Sequence, residues 1–443
     1  MGILSQQEAK KIIDKVLSFS KADEMSVSLS GENVGNIRYA RNAVSTSGDS
    51  RNVSLAVTAV FGKKTGTATI NEFDEESIKK TVARAEELAK LAPENPEYVS
   101  MLGPQKYPET KSYADSTANI DPDKRAQIAL DSIDLCRKKS VIAAGYLEDS
   151  AGFKAIGNSK GLFGYYKTTS VDYSITVRTE DAKGSGYVVR DFNDVSKLNS
   201  ASLTQTALQK AMASTAAQAI EPGRYTVILE PTAAAELMRN MMSNMDARSA
   251  DEGRSFLSKK GGGNRLGEKL FDERITIYSD PMDADIPGAP FVIGDNTVDG
   301  RAQEKVVWVE KGVVKNMFYS RFWAEKKGEK AIAAPSGFIF EGGAESIADL
   351  IKSTQKGILV TRFWYIRDVD RQTLLYTGLT RDGTFYIEDG KIKFPVKNFR
   401  FNESPIVMLN NIEAMGKPMR SGGNMIPPMK IRDFTFTSLS DAV

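Results

Sequence analysis

The 443-residue chain contains no histidine. That absence excludes a Ser-His-Asp triad, a Cys-His dyad, His-ligated zinc and any imidazole general base. Cysteine is almost as scarce: a single residue, Cys136, leaves no disulfide within the chain and no Cys-rich metal site. Cys136 recurs with Ala129 and Ile133 at helical spacing and reads as a buried structural thiol. Charge of one sign is also missing. Lys and Arg total 59 against 57 Asp and Glu, a net charge of +2, which argues against nucleic-acid binding through a basic surface. No apolar run reaches the length of a transmembrane helix. The N-terminus has no apolar core of signal-peptide length, and Gln6 breaks the myristoylation pattern, so a cytoplasmic location is expected.

What remains is ordinary for a globular protein: 41% hydrophobic and 26% charged residues. The periodicity alternates between helix and strand. Residues 5–19 read as an amphipathic helix, followed by short strands to Ile70 separated by Gly, Asn and Asp turns, with a hairpin at Phe61-Gly62-Lys63-Lys64. Asp74 to Ala92 reads as a helix, and several prolines mark a long connection after it. A second helix-and-strand stretch begins at Asp123–Lys139, capped by Asp121 with Pro122 at its first position. It closes with an Ala-rich helix, Leu203–Ile220, before the boundary at Glu221-Pro222-Gly223. Residues 54–68 and 172–187 resemble each other. They read either as a trace of internal duplication or as two similar hairpins.

The remainder opens with the strand Tyr225–Leu229 and a helix through about Met245. It is then mostly strand, interrupted by helices at Ser346–Thr354 and Pro405–Met415. The expected class is α+β: an N-terminal α+β domain over 1–221, in halves of about 1–103 and 104–221, and a β-rich domain over 222–443. The latter is expected to hold a curled, barrel-like antiparallel sheet.

Four motifs invite chemistry, and each has a plainer reading. The Gly261-Gly262-Gly263 run lacks P-loop spacing and reads as a mobile loop. Ser18-x-x-Lys21, Ser77-x-x-Lys80 and Ser353-x-x-Lys356 match a Ser–Lys pattern that common residues produce by chance. Asp280, Asp283 and Asp285 could offer oxygens to a hard cation but lack EF-hand spacing, and read as a solvated turn. Met238, Met241, Met242 and Met245 share one helical face and read as core. A fifth feature is the strand Thr361-Arg362-Phe363-Trp364-Tyr365-Ile366-Arg367, which interleaves cations with large aromatics. Alternation sets Arg362, Trp364 and Ile366 on one face and Phe363, Tyr365 and Arg367 on the other. It reads as the wall of a cleft for an extended peptide, or as a barrel strand with aromatics inside and arginines paired at the rim.

Several landmarks in shared order resemble the TldD/PmbA family, historically called modulators of DNA gyrase. They are Asn36-Ile37-Arg38-Tyr39-Ala40-Arg41-Asn42 through Gly66-Thr67-Ala68, Pro222-Gly223-Arg224-Tyr225 through Pro231, Gly267-Glu268-Lys269-Leu270-Phe271, Leu379-Thr380-Arg381-Asp382-Gly383 and Pro395-Val396-Lys397-Asn398. The resemblance implies one of two branches. The TldD branch is a zinc peptidase with His-Glu-x-x-x-His and a later Cys. The PmbA (TldE) branch lacks these ligands and pairs with the first to act on unfolded peptides.

Counted from the Leu-x-Pro turn, the motif positions of the zinc branch fall on Arg239, Asn240 and Asn244, and its Cys near Met415. No ligand or general base survives there, so this chain resembles the PmbA/TldE-like branch. The expectation that follows is a chain without catalytic residues, metal or cofactor. It pairs with a TldD-type paralogue or with itself and holds unfolded peptide through Thr361, Arg362, Trp364, Tyr365 and Arg367, with Arg381 nearby. No membrane and no direct nucleic-acid partner are expected. Two alternatives stay open: a peptidase whose metal is held by acids such as Glu236 or the Asp280 cluster, and a regulatory binder linked to DNA gyrase.

Overall fold

The computed structural model describes residues 2–293 and 299–440. In chain order the N-terminal part comprises α1 (Gln6–Ser18), β1 (Glu24–Ala40), β2 (Ala43–Phe61), β3 (Lys64–Ile70) and α2 (Glu75–Leu91). A short α3 (Asp115–Ala118) precedes α4 (Pro122–Lys138), β4 (Val141–Asn158), β5 (Phe163–Thr179), β6 (Ser185–Phe192) and α5 (Ser200–Ala213). The six strands form one antiparallel sheet in the order β3-β2-β1-β4-β5-β6. Each half therefore repeats helix, three strands, helix, and the halves meet where β1 pairs with β4. Residues 54–68 and 172–187 span equivalent ground, the passage from second to third strand.

Capping explains the helix starts. Asp74 accepts the Ser77 N–H ahead of α2, and Asp121 accepts the Lys124 N–H ahead of α4, with Pro122 in the first turn. The C-terminal helix of the second half runs Ser200–Ala213 rather than Leu203–Ile220, because Asn199 caps it three residues earlier.

The strands differ more from the sequence reading. Stretches that read as separate short strands are single strands of 17 to 19 residues, with Gly31, Gly35 and Gly145 inside them. The cause is cross-strand. Gly31 pairs with Phe153, and Tyr39 pairs with Gly145. A Cβ on Gly31 would lie 2.5 Å from the Phe153 ring, and one on Gly145 would lie 2.2 Å from the Tyr39 ring. Each glycine makes room for a ring from the other half. Phe153 thus enters the core beneath α1 and α2, and Tyr39 enters the core beneath α4 and α5. Cys136 sits in that second core with Ala129 and Ile133, fully buried, and burial pushes its thiol up to about 11.

The remaining chain is mixed α+β as well. β7 (Gly223–Leu229) leads into α6 (Pro231–Ser243). A curled nine-stranded sheet runs from the edge strand Phe363–Asp370 through Leu375–Thr380, Phe399–Glu403 and Met429–Leu439 to β7, then to Lys356–Val360 and beyond. Its pairs are antiparallel except that β7 and Lys356–Val360 run parallel. A smaller six-stranded sheet includes Met419–Ser421 and Asn424–Ile426. α6 lies between the two sheets, and Met238, Met241, Met242 and Met245 are all buried in the core it shares with them. The stretch that read as one helix, Pro405–Met415, is a helix only to Asn410. Ile412–Met415 is a strand that pairs with Met429–Leu439. Among the described residues, no helix is long and apolar enough to cross a membrane.

Candidate functional site

α6 buries Leu237, Met238, Met241 and Met242 and turns the stripe Glu236, Arg239, Asn240 and Ser243 away from the core. Its N-terminus is anchored to the N-terminal sheet layer: the carboxylate of Glu230 accepts from Lys210 of α5 at 2.7 Å. Arg239 is exposed, and its Nη1 lies against Gly422, where a Cβ would be only 2.3 Å away. Gly422 also has φ +58, so the turn demands glycine twice over.

Asp191 of β6 pins that turn. Its carboxylate accepts the Gly422 N–H at 2.7 Å, the Gly423 N–H at 3.0 Å and Arg420 Nε at 2.7 Å. Three donors on one carboxylate hold the β6 edge to the strand pair beside α6. Asp172 stands beside Asp191 on β5, with Glu148 opposite it on β4. Its side chain is solvent-exposed, but the protein around it displaces part of the water that would otherwise surround the carboxylate. That desolvation, with the charges of Asp191 and Glu148, pushes it up to about 6, against the opposing pull of Arg420.

A second anchor lies at the other end of β6. Asp382, buried and at φ +54, accepts Ser185 Oγ at 2.6 Å and Arg362 Nη1 at 2.6 Å. The Arg362 guanidinium also stacks on the Tyr187 ring at 3.8 Å. Thr361 is buried and donates its hydroxyl to the carbonyls of Asp382 and Gly383 at 3.1 and 3.0 Å. Thr361 and Arg362 are therefore tied inward at the rim.

Trp364 and Tyr365 are open, at 38% and 56% exposure. The expected alternation fails here. A bulge with Tyr365 at φ +57 puts Phe363 and Ile366 together in the core and leaves both rings outside. The expected strand Thr361–Arg367 begins only at Phe363: Thr361-Arg362 separates Lys356–Val360 from Phe363–Asp370, and these two strands pair with different neighbours. Outside, cations and rings alternate: Arg381 over Trp364 at 4.1 Å, Trp364 to Tyr365 at 5.6 Å, and Arg367 over Tyr365 at 4.1 Å. Glu236 of α6 is half-buried. Burial pushes its carboxyl up, while the charges of Arg239, Arg362 and Arg367 oppose the shift. The α6 stripe and the aromatic strand thus share one electrostatic neighbourhood.

Not every expected residue joins it. Asn244 caps α6, donating its side-chain amide to the Asn240 carbonyl at 2.8 Å and accepting Ser255 Oγ at 2.9 Å. Met415 ends its strand against Met429, half-buried in the core. The Asp280 turn closes on itself: Asp280 accepts the Met282 N–H, and Asp283 accepts the N–H groups of Asp285 and Ile286. Sequence reasoning missed Ser185, Tyr187, Asp191 and Asp382. Ser185 and Tyr187 fell within the stretch 172–187 and Asp382 within a family landmark, but only as pattern and not as site residues; Asp191 fell outside both.

The donor set does not fit a metal of the zinc-peptidase kind. At the positions where the resemblance sets the motif stand a guanidinium, two carboxamides and a thioether, and the nearby Glu236 lies among the charges of Arg239, Arg362 and Arg367. Among the described residues, no group of three or more Asp, Glu, Cys or His is placed to hold a metal ion.

Family models described as PmbA/TldA metallopeptidase domain 1, central domain and C-terminal domain match residues 26–89, 106–215 and 222–438. An uncharacterized protein of Methanocaldococcus jannaschii is 23% identical over 90% of this chain and 92% of its own length. A protein of Methanothermobacter thermautotrophicus named a metalloprotease is 26% identical over 45% of this chain and 44% of its own. Among solved structures, TldE from Thermococcus kodakarensis has a TM-score of 0.86 at 18% identity, covering 97% of this chain and 99% of its own. A Thermotoga maritima protein, named as a supposed modulator of a DNA gyrase, has a TM-score of 0.86 at 17% identity, covering 97% of this chain and 100% of its own. At these identities the structural likeness concerns the fold.

Proposed function

The chain belongs to the PmbA/TldD metallopeptidase family, and from that premise we propose that it is a peptide-holding member that does not itself hydrolyse. It works beside a TldD-type chain or a second copy of itself. The observation that carries this reading is the run Arg381–Trp364–Tyr365–Arg367, with both rings exposed, beside an α6 stripe that presents Arg239. Flat rings give an extended peptide contact area at low entropic cost, and the guanidinium groups can donate to its carbonyls or carboxylates. The strand carrying Trp364, Tyr365 and Arg367 is the edge of the nine-stranded sheet, so its outward backbone groups can add one more strand.

The test is binding of a labelled, unstructured peptide followed by fluorescence anisotropy. Trp364→Ala with Tyr365→Ala should weaken binding by at least about tenfold, the scale expected of aromatic anchors. The triple variant that adds Arg362→Ala should weaken it further. Unchanged affinity in a folded double variant removes the reading. Peptide hydrolysis that a chelator abolishes, in a preparation free of any TldD-type chain, removes its non-hydrolytic part.

A further inference from the structure

Three guanidiniums sit over rings around one stretch of chain. Arg381 stands 4.1 Å from the Trp364 ring, Arg367 4.1 Å from the Tyr365 ring, and Arg362 3.8 Å from the Tyr187 ring. They are not equivalent. Arg362 is tied inward, to the buried carboxylate of Asp382 at 2.6 Å. Arg381 comes no nearer than 4.0 Å to that carboxylate, and Arg367 donates to the Ile366 carbonyl. A ring attracts the charge of a guanidinium and leaves its N–H groups for other partners. Arg381 and Arg367 therefore flank the Trp364–Tyr365 pair, each with a fork shaped for a carboxylate.

The charges around this strip are mostly of one sign. Arg239 and Arg367 are exposed, and with Arg362 they act on Glu236, a half-buried carboxyl that burial itself pushes up. Burial presses the Arg381 guanidinium down, and the charges of Arg362 and Arg178 add to that against the pull of Asp382. Farther along the strand the acids are engaged locally: Asp368 with Arg371 at 3.5 Å, and Asp370 with the Gln372 N–H and the Thr373 hydroxyl. An anion arriving at the strip would relieve the repulsion among its arginines.

We propose that the strip selects peptides that carry Asp or Glu on both sides of an apolar residue. The apolar residue lies on the Trp364 and Tyr365 rings, and the flanking carboxylates meet Arg381 at one end and Arg367 at the other. This rests on the peptide-holding reading and gives it a substrate class. A single strand of nucleic acid offers the same sign of charge and has bases to stack. Peptide is favoured on two grounds. Trp364, Tyr365 and Arg367 lie on an edge strand, whose outward backbone groups pair with a peptide backbone. The net charge of +2 also provides no broad basic surface for phosphates.

The probes are three labelled, unstructured peptides, alike except at the flanks of one central leucine, which are acidic (Asp and Glu), neutral (Ser and Gln) or Lys. Fluorescence anisotropy should show the acidic peptide binding the native chain about tenfold more tightly than the neutral one, and the lysine peptide more weakly than either. The readout is the ratio of acidic to neutral affinity. Arg367→Gln and Arg381→Gln should each lower it about threefold, and together they should bring it to about one. Arg367 is exposed and tolerates the change, so its variant decides alone if Arg381→Gln, beside the buried Asp382, fails to fold. Lys139→Gln removes one charge at the exposed end of α4 and should leave the ratio as it was. Equal binding of acidic and neutral peptides overturns the inference and leaves the peptide-holding reading standing. A ratio that Lys139→Gln lowers as far as Arg367→Gln also overturns it, because bulk charge is then doing the selecting. An oligothymidine that binds as tightly as the acidic peptide overturns the choice of peptide. If none of the three peptides binds, the peptide-holding reading falls and this inference with it.

Discussion

In the first half of the N-terminal sheet the third strand, β3, supplies nothing to the candidate site. In the second half its counterpart, β6, supplies Ser185, Tyr187 and Asp191. The two strands start alike. Gly66 on β3 lies against Ala85 and Ala89 of α2, and Gly186 on β6 lies against Ala207 and Ala211 of α5. At either glycine a Cβ would come within 2.2 Å of helix backbone. One supersecondary unit thus serves twice. Its helix side is spent on identical close packing in both halves. Its edges are where the copies part: one grips the α6 region through the Asp191 carboxylate and the Ser185 hydroxyl, and the other supplies no group to it. Packing preserves the unit, and the side chains at its margins decide what it touches.

The largest expected effects test the shared part. Phe153 and Tyr39 each leave their own half to fill the other's core over a glycine. Phe153→Ala and Tyr39→Ala should each cost about 3–5 kcal/mol in denaturant unfolding, the range for a buried ring cut to a methyl. A much smaller loss in one of them would mean that the halves only look equivalent. Next comes the part that differs. Asp191→Ala leaves the N–H groups of Gly422 and Gly423 without their acceptor and takes the carboxylate from Arg420, which keeps only Asn193 and the Asp285 carbonyl; this should cost about 3 kcal/mol. Counted from the matched glycines, Asn71 holds the corresponding place after β3, exposed to solvent. Asn71→Ala should stay within about 0.5 kcal/mol. Equal losses at the two positions would break the claim that only the second half is built into the site.

Much of this was legible in the residues, within limits set by distance along the chain. α2 and α4 could be read because their caps, Asp74 and Asp121-Pro122, lie beside the segments they start. The landmarks that resemble the TldD/PmbA family led to the right family, and the likeness of 54–68 to 172–187 fell on equivalent strands. The long strands could not be read. Gly31 and Gly145 look like turns until Phe153 and Tyr39 are known to lie over them, more than a hundred residues away. The alternation at Trp364 and Tyr365 failed for a similar reason: a bulge beside the Arg362–Asp382 pair puts both rings outside. Asp191 carries no local signal. Its role comes from a Gly-Gly turn that folding brings to it from the end of the chain.

The smallest effect sharpens the comparison through its sign. Glu24 opens β1 in the first half. Burial raises its pKa, but the Lys160 ammonium, the Met101 N–H and the hydroxyls of Ser100 and Tyr98 outweigh that and hold it at about 2. Its pKa is below the unfolded value of 4.5, so its stabilisation is complete above that pH and disappears as pH falls toward 2. Asp172 in the second half is displaced the other way, to about 6 from 3.8. Its penalty is absent below the lower value and complete above the higher, so acidification through that window relieves it. Glu24→Gln should therefore destabilise at neutral pH and converge with the native chain only near pH 2. Asp172→Asn should stabilise at neutral pH and converge by about pH 4. Denaturant midpoints of the three proteins across this range separate the two groups, because their windows barely overlap. If Asp172→Asn is neutral at pH 7, its carboxyl is no more strained than one at the surface. The crowding of acids at the β6 edge would then carry no cost, and the two halves would differ there only in the contacts of Ser185, Tyr187 and Asp191.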